Sequence, residues 1–97
     1  MKVYEETMVH IKKPQMYAVV IYNDDYTTMD FVIEILVKIF HKTSVEASEI
    51  MMHVHTNGKG EAGVYTYDIA LTKKLQTEQW ANEKGFPLKI TIDEAME

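Results

Sequence analysis

The sequence contains no cysteine among its 97 residues. A disulfide framework, a thiolate metal site and a cysteine nucleophile are therefore all excluded. The apolar runs are much shorter than the roughly 20 residues that a membrane-spanning helix needs. Glu5 and Glu6 interrupt the start of the chain, so no secretory signal peptide is indicated. These absences favour a soluble protein of the cytoplasm.

Basic residues are also few: Lys and Arg number 10 against 15 acidic residues, for a formal net charge of −5. An acidic chain repels the phosphate backbone of nucleic acids. The longest lysine clusters are the pairs at 12–13 and 73–74, which are too short to offset that repulsion. A cationic amino group on a peptide is a more compatible partner than nucleic acid.

Motifs of the common enzyme classes are missing as well. No GxSxG turn and no glycine-rich phosphate loop occurs. His53 and His55 could suggest a metal, but residues two apart on a helix point to nearly opposite sides. We therefore expect neither catalytic activity nor a metal site nor a cofactor.

A chain of this length predicts one domain, preceded by a short arm. Residues 1–13 are polar and of mixed charge, and they end at Pro14, so we expect a flexible arm at 1–13 and a folded core at 14–97. Apolar periodicity in the core predicts the order β-α-α-β-α-β. This order favours an α+β fold in which a three-stranded antiparallel sheet packs against three helices, as a monomer. The predicted strands cover 16–22, 63–67 and 88–93, and the predicted helices cover 29–41, 43–57 and 68–84.

The helix ends carry recognisable signals. Thr27 with Asp30, and Thr43 with Glu46, have the spacing of capping pairs at a helix start. Asn57-Gly58 predicts a left-handed end for the second helix, and Gly85 with Pro87 ends the third.

The stretch Asn23-Asp24-Asp25 follows a predicted strand directly. Such residues are common in turns because their side chains bond the local backbone. They can also form the anionic wall of a small pocket, if other polar groups converge there. His55 could complete such a pocket through a neutral ring nitrogen that accepts a hydrogen bond. It could equally cap the end of its helix as a cation.

The string VIYNDDYTTMDFVIEILVKIF, followed by MMHVHTNGKGEAGVYTYDIALTKK and FPLKITIDE, resembles the ClpS family of adaptor proteins over about residues 14–95. The resemblance implies binding of N-degron substrates, which begin with Leu, Phe, Tyr or Trp. It also implies delivery of those substrates to a ClpA- or ClpC-type AAA+ unfoldase docked on ClpP. Asn23, Asp24 and His55 would then bind the free α-amine of the substrate.

The same resemblance assigns further roles. Met29 would act as a gate against β-branched first residues, and Asp68 and Lys73 would contact the N-domain of the unfoldase. This chain departs from the family at Leu71, where an acidic residue is usual, and at Thr28, where proline is frequent. The apolar pocket for the first side chain would be lined by Thr27, Met29, Val32, Met51, Val54 and Leu88.

A second hypothesis remains open at this point. A similar small α+β architecture occurs in the C-terminal domain of the ribosomal stalk protein, which is also acidic and recruits other proteins through a helix face. Fold alone does not separate the two hypotheses. The polar cluster around Asn23 and His55 favours the adaptor, because a stalk-type interaction domain does not need it.

Overall fold

The computed structural model describes residues 14–96, so the predicted arm at 1–13 lies outside the described residues. Within them, three strands and three helices follow one another in the predicted order β-α-α-β-α-β, which confirms the α+β fold. The elements are β1 (Tyr17–Tyr22), α1 (Met29–Lys38), α2 (Ser44–Asn57), β2 (Lys59–Tyr65), α3 (Tyr67–Lys84) and β3 (Ile90–Glu94).

Strand β1 is the centre of the sheet, whose order is β2-β1-β3 with both pairings antiparallel. Val19 and Ile21 are fully buried and belong to the hydrophobic core. Successive side chains of a strand point to opposite faces, so Val20 and Tyr22 point to the other face, where they are half-buried. The helices therefore cover one face of the sheet and leave the other face largely open.

Strand β2 begins earlier than predicted. The sequence suggests a glycine-rich turn before a strand at 63–67, but the strand starts at Lys59, directly after α2. Gly60 lies so close to α2 that a β-carbon there would be 2.8 Å from Cγ2 of Val54. A register shift opposite Val19 and Val20 accommodates one extra residue of β2, the buried Ala62. Gly60 therefore serves close packing of β2 against α2, and the extra residue Ala62 forms a bulge in β2 where a turn was expected.

The start of α1 at Met29 is as predicted, but its N-cap residue and its C-terminal end differ from the prediction. The N-cap is Thr28, whose hydroxyl accepts a hydrogen bond from the Phe31 N–H at 3.1 Å, and not Thr27. The helix ends at Lys38 rather than His41, because His41 adopts a left-handed conformation with φ of 57°. A non-glycine residue at that angle is uncommon, so the sequence gives no signal for this end.

The signals for α2 are confirmed in full. Thr43 and Glu46 form a reciprocal capping box, and Gly58 is a left-handed C-cap with φ of 90°. The end of α3 at Gly85, with φ of 78°, is also confirmed. Because α2 ends at Gly58 and β2 starts at the next residue, the C-terminal end of α2 is attached to the edge of the sheet.

The face that α3 buries was not predictable from its apolar residues. It packs through small side chains, whereas Ile69 and Leu75 are about half exposed. Small residues let a helix approach the sheet closely, which accounts for the weak apolar periodicity of this helix. The buried residues of α3 are Ala70, Thr77 and Ala81.

Candidate functional site

Asn23 is the first residue after β1, and its backbone ties two distant segments together. Its N–H donates to the carbonyl oxygen of Gly58 at 2.8 Å. Gly58 caps α2, and His55 lies in the last turn of the same helix. The hydrogen bond therefore brings Asn23 and His55, which are 32 positions apart in the sequence, to the same end of α2.

Asp24 organises the loop that follows. One of its carboxylate oxygens accepts hydrogen bonds from the backbone N–H groups of Tyr26 and Thr27, at 2.8 and 2.7 Å. The other oxygen accepts from the Thr27 hydroxyl at 2.7 Å. The turn interpretation of this stretch is therefore confirmed for Asp24, whose side chain shapes the chain entry into α1.

These contacts keep Asp24 ionised. Partial burial by itself raises the pKa of the carboxyl group, but the hydrogen bonds from Thr27 and Tyr26 favour the charged form more strongly. The pKa of Asp24 is consequently lowered from its ordinary value. An ionised carboxylate has about four acceptor positions, and three are used within the loop. Asp24 can therefore offer a full negative charge and one further acceptor position to a ligand.

His55 is exposed at the end of α2. The nearby His53 differs in having a contact within its own helix. The side-chain amide of Asn57 lies 2.9 Å from Nδ1 of His53, so His53 is engaged with its own helix. Val54, between the two histidines, is buried against the core. The C-terminal end of a helix carries a partial negative charge, so this end of α2 favours a cationic ligand.

The residues predicted to line an apolar pocket divide into two groups. One group is buried and belongs to the single core cluster, to which α1, α2 and the segment before β3 all contribute. Thr27 is half-buried and held by Asp24, and Met29 is 44% exposed at the first turn of α1. An exposed methionine is suited to change its rotamer around a ligand. The buried group comprises Val32, Met51, Val54 and Leu88.

Asp68 and Lys73 lie elsewhere, around an open concavity of about 410 Å³ that Ile39 and His41 also line. The fold brings these two charges to one surface. Asp68 accepts a hydrogen bond from the Thr66 hydroxyl at 2.8 Å. That bond is the main cause of a lowered pKa for the Asp68 carboxyl. Asp68 is thus an ionised, exposed acid at the start of α3.

Lys73 has a structural contact that the sequence does not reveal. Its ammonium donates to the Ile39 carbonyl oxygen at 2.6 Å and lies over the rings of Phe40 and Tyr65, at 5.8 and 5.2 Å from their centroids. A cation is favourable at the C-terminal end of a helix, and Ile39 is the C-cap of α1. Lys73 therefore joins α3 to the end of α1. Leu71, which replaces the acid of the family pattern, is half-buried.

One group beside the site escaped the sequence reasoning. Tyr22, just before Asn23, has the ammonium of Lys89 at 4.5 Å and that of Lys59 at 5.9 Å from its ring centroid. The two lysines are 30 positions apart and become neighbours of one ring only through the sheet register. A sequence pattern carries no signal for this cluster without that register.

Residues 14–96 contain neither a metal-binding cluster nor a membrane-spanning helix. No group of three His, Asp or Glu side chains is arranged to hold a metal ion. No helix in that part of the chain combines the length and the apolar character needed to cross a membrane.

Comparison with known proteins gives consistent matches over most of the chain. The family model of the ATP-dependent Clp protease adaptor protein ClpS matches residues 12–91. A ClpS adapter protein of Acetivibrio thermocellus is 55% identical over 91 residues, which are 94% of this chain and 92% of that protein. One of Clostridium acetobutylicum is 54% identical over 84 residues, or 87% of this chain and 83% of that protein.

A solved structure agrees with the fold. The structure of Agrobacterium tumefaciens ClpS2 bound to L-phenylalaninamide superposes with a TM-score of 0.82 at 34% sequence identity. The match covers 86% of this chain and the whole of that one.

The contacts of Asp24 make a prediction about stability. Replacing Asp24 with Asn keeps the size of the side chain but removes its charge. We expect the free energy of unfolding near neutral pH to fall by about 1–3 kcal/mol, because the loop N–H groups lose a charged acceptor. A carboxyl group with a lowered pKa in the folded state stabilises it above the ordinary value of 3.8, and this contribution is lost as the pH falls through the folded value. Urea unfolding of both proteins at a series of pH values should therefore show a difference that shrinks below about pH 4.

The exposed neighbour Asp25 provides the matched control. The Asp25→Asn variant makes the same chemical change one position along the loop, and it should have the stability of the unmodified protein within about 0.5 kcal/mol. Equal losses at Asp24 and Asp25, or a difference that persists in acid, would contradict the structural role of Asp24.

Proposed function

The chain belongs to the ClpS family of Clp protease adaptor proteins, and from this premise we propose that it binds the first residue of N-degron substrates. The free α-amine would bind to Asn23, Asp24 and His55, and a bulky apolar side chain (Leu, Phe, Tyr or Trp) would enter the neighbouring pocket. The observation that carries the proposal is the hydrogen bond from Asn23 to Gly58, which joins the acidic loop to the helix end that bears His55.

The chemistry of the α-amine supports this assignment. An ammonium group has three donors and no acceptor, so it is best satisfied by three acceptors from the protein. An amide oxygen of Asn23, the free acceptor position of Asp24 and a neutral ring nitrogen of His55 supply such a set. The negative end of the α2 dipole adds to the attraction. Hydrogen bonds of this charged kind each contribute roughly 1.5–3 kcal/mol.

The apolar cluster supports the second half of the proposal. A buried leucine or aromatic side chain contributes on the order of 1.5–3 kcal/mol. Together with the amine contacts, and after the entropy of association, an affinity in the micromolar range is expected. The Agrobacterium relative is described with L-phenylalaninamide, a ligand that has a free α-amine and an aromatic first side chain. That ligand has the chemistry proposed here.

Met29 would set the shape limit of the pocket. Ile and Val are branched at Cβ and have few χ1 rotamers. A methionine wall close to that carbon would exclude them, whereas Leu and Phe, which branch further out, could turn past it. The gate thus acts through the stiffness of the ligand and needs no polar contact.

Delivery would use the surface around Asp68 and Lys73. We place there the contact with the N-domain of a ClpA- or ClpC-type unfoldase, which works with ClpP. Asp68 is ionised and exposed and can pair with a basic residue of the unfoldase. Lys73 would act mainly by holding the end of α1, because its ammonium is already bonded to Ile39. The chain itself would catalyse no reaction, in keeping with an adaptor family.

The binding proposal predicts which peptides the protein will hold. Fluorescence anisotropy with labelled peptides that differ only at the first residue is the measurement. A peptide beginning with free Leu should bind in the micromolar range, and N-acetylation should weaken it by roughly 100-fold because the cation is lost. Peptides beginning with Ile or Ser should bind at least about tenfold more weakly than the Leu peptide.

Each alternative result has a distinct meaning. Equal binding of the Leu and Ile peptides would remove the gate assigned to Met29. Equal binding of free and acetylated Leu would remove the amine site at Asn23, Asp24 and His55. If none of the peptides binds, the proposed function is wrong.

The proposed role of His55 predicts how peptide binding responds to its replacement. The His55→Leu variant removes one of the three proposed acceptors, so one donor of the substrate ammonium is left unsatisfied. Asp24 keeps its charge in this variant, because its lowered pKa depends on hydrogen bonds from Thr27 and Tyr26. We expect the affinity for the Leu peptide, measured by the same anisotropy titration, to fall roughly tenfold.

His53 provides the matched control. The His53→Leu variant makes the same change two positions earlier on α2, where the ring contacts Asn57, and it should bind the Leu peptide as the unmodified protein does. An unchanged affinity of the His55→Leu variant would rule out His55 as an amine acceptor.

The delivery surface predicts a separation between binding and degradation. The Asp68→Asn variant should slow degradation of a Leu-starting substrate by a reconstituted ClpA–ClpP or ClpC–ClpP pair on the order of fivefold. Its affinity for the Leu peptide should not change. The Asp93→Asn variant, which neutralises an exposed acid of β3, serves as the control. Degradation at the unmodified rate by Asp68→Asn would place the unfoldase contact elsewhere.

A further inference from the structure

Thr27 contacts both oxygens of the Asp24 carboxylate. Its N–H donates to Oδ1 at 2.7 Å, and its hydroxyl donates to Oδ2 at 2.7 Å. Oδ1 also accepts a hydrogen bond from the N–H of Tyr26 at 2.8 Å. Thr27 and Asp24 are both half-buried, so these bonds are partly shielded from solvent.

The two oxygens of Asp24 differ in what they can still accept. A carboxylate oxygen has about two acceptor positions. Both positions of Oδ1 are occupied by backbone N–H groups, and these two bonds already close the turn. Oδ2 has one bond, from the Thr27 hydroxyl, and keeps one position free. The free acceptor position of Asp24 is therefore on the oxygen that the hydroxyl holds.

This arrangement sets the distance between the Thr27 hydroxyl and a ligand of Asp24. Donors to a carboxylate oxygen lie near its lone-pair directions, at donor–acceptor distances of roughly 2.7–2.9 Å. Two donors on the same oxygen are then roughly 4–5 Å apart. A substrate ammonium at the free position of Oδ2 would thus have the hydroxyl oxygen of Thr27 as a near neighbour.

The hydroxyl also fixes the direction of the free position. The terminal torsion of an aspartate side chain is broad, so a carboxylate held at one oxygen only could tilt. The bond from the hydroxyl to Oδ2 is of the short, charge-assisted kind. Threonine is branched at Cβ and therefore has a restricted χ1, which keeps the hydroxyl in place. An acceptor oriented in advance loses less conformational entropy on binding.

We propose that Thr27 is a positioning residue of the amine site, whose hydroxyl orients Oδ2 of Asp24 towards the substrate ammonium. This inference rests on the proposed function, because it concerns the acceptor of the bound α-amine. It assigns Thr27 to recognition of the amine, whereas resemblance to the family places this residue in the wall of the apolar pocket.

Two substitutions separate the hydroxyl of Thr27 from its methyl group. Thr27→Val keeps the branched shape and removes the hydroxyl, whereas Thr27→Ser keeps the hydroxyl and removes the methyl group. In the anisotropy titration, Thr27→Val should bind the free Leu peptide roughly fivefold more weakly than the unmodified protein. Thr27→Ser should restore most of that loss. A residue that acts only as an apolar wall would give the opposite order.

The effect should depend on the charge of the ligand and on Asp24 itself. The N-acetylated Leu peptide has no ammonium, so the Thr27→Val substitution should leave its affinity unchanged. This affinity is measured by displacement of the labelled free Leu peptide. In a protein that already carries Asp24→Asn, the Thr27→Val substitution should have little further effect on binding of the free Leu peptide, because both changes act on the same contact.

A measurement without peptide gives an independent readout. Partial burial raises the pKa of the Asp24 carboxyl group, whereas the N–H and hydroxyl of Thr27 and the N–H of Tyr26 lower it. Loss of the hydroxyl should therefore raise the pKa of Asp24 in Thr27→Val, as followed by carboxyl ¹³C NMR of the free protein. In Thr27→Ser the pKa should stay lowered.

Thr28→Val is the matched control, because it removes a hydroxyl at the next residue of the loop. The Thr28 hydroxyl caps α1 by accepting from the Phe31 N–H at 3.1 Å. Its loss should lower the free energy of unfolding but change the affinity for the free Leu peptide by no more than about twofold. Urea unfolding of every variant checks that the protein is folded under the conditions of the titration.

The outcomes distinguish this inference from the proposed function. If the unmodified protein prefers the free Leu peptide to the acetylated one, but Thr27→Val binds it undiminished, the positioning role is wrong and the proposed function stands. Equal losses of both peptides in Thr27→Val would indicate a general change of structure and would also overturn the positioning role. If the unmodified protein does not bind the free Leu peptide, the proposed function is wrong, and this inference with it.

Discussion

The central position of β1 is the constraint on which the rest of this structure depends. β1 pairs with a strand on each side. Its last residue, Tyr22, therefore lies opposite the first residue of β2 and beside Lys89, which precedes β3. Asn23 leaves the sheet at that point and bonds to Gly58 at the end of α2. A shift of β1 by one residue would turn Ile21 out of the core and Tyr22 into it. Core burial therefore also sets the position of the acidic loop.

Asp24 illustrates how a single carboxylate that shapes a loop could also serve the binding proposed here. Its contacts to Tyr26 and Thr27 shape the loop, and the same contacts lower its pKa. The charge that attracts a cation is therefore present before any ligand arrives. A preformed site loses less conformational entropy on binding than a loop that must be ordered. The two interpretations of this stretch, a turn and the anionic wall of a pocket, are thus compatible, because the turn holds the carboxylate in position.

The proposed substrate pocket and the proposed unfoldase contact are connected through α1. Met29 begins this helix, and Ile39 caps its other end. Lys73 of α3 donates to the Ile39 carbonyl oxygen and packs over Phe40, so the end of α1 is held from the side of the proposed unfoldase contact. Within a tightly packed domain such contacts transmit small displacements. A contact at Asp68 or Lys73 is therefore connected, through one rigid helix, to the rim of the proposed pocket.

The sequence by itself determined the element order, the α+β class and the ends of α2, because apolar periodicity and capping residues are local signals. Thr43, Glu46 and Gly58 act within one or two turns of chain, so their roles follow from spacing alone. The residues of the candidate site came from resemblance to a family and not from spacing, since no local pattern joins Asn23 to His55.

Only the tertiary structure decided the remainder. The end of α1 at Lys38 depends on the left-handed His41, and the early start of β2 depends on close packing of Gly60 against Val54. The neighbours of Tyr22 depend on strand register. Each of these features results from contacts between residues far apart in the sequence. Such contacts form only when the chain as a whole has found its packing, and no local pattern encodes them.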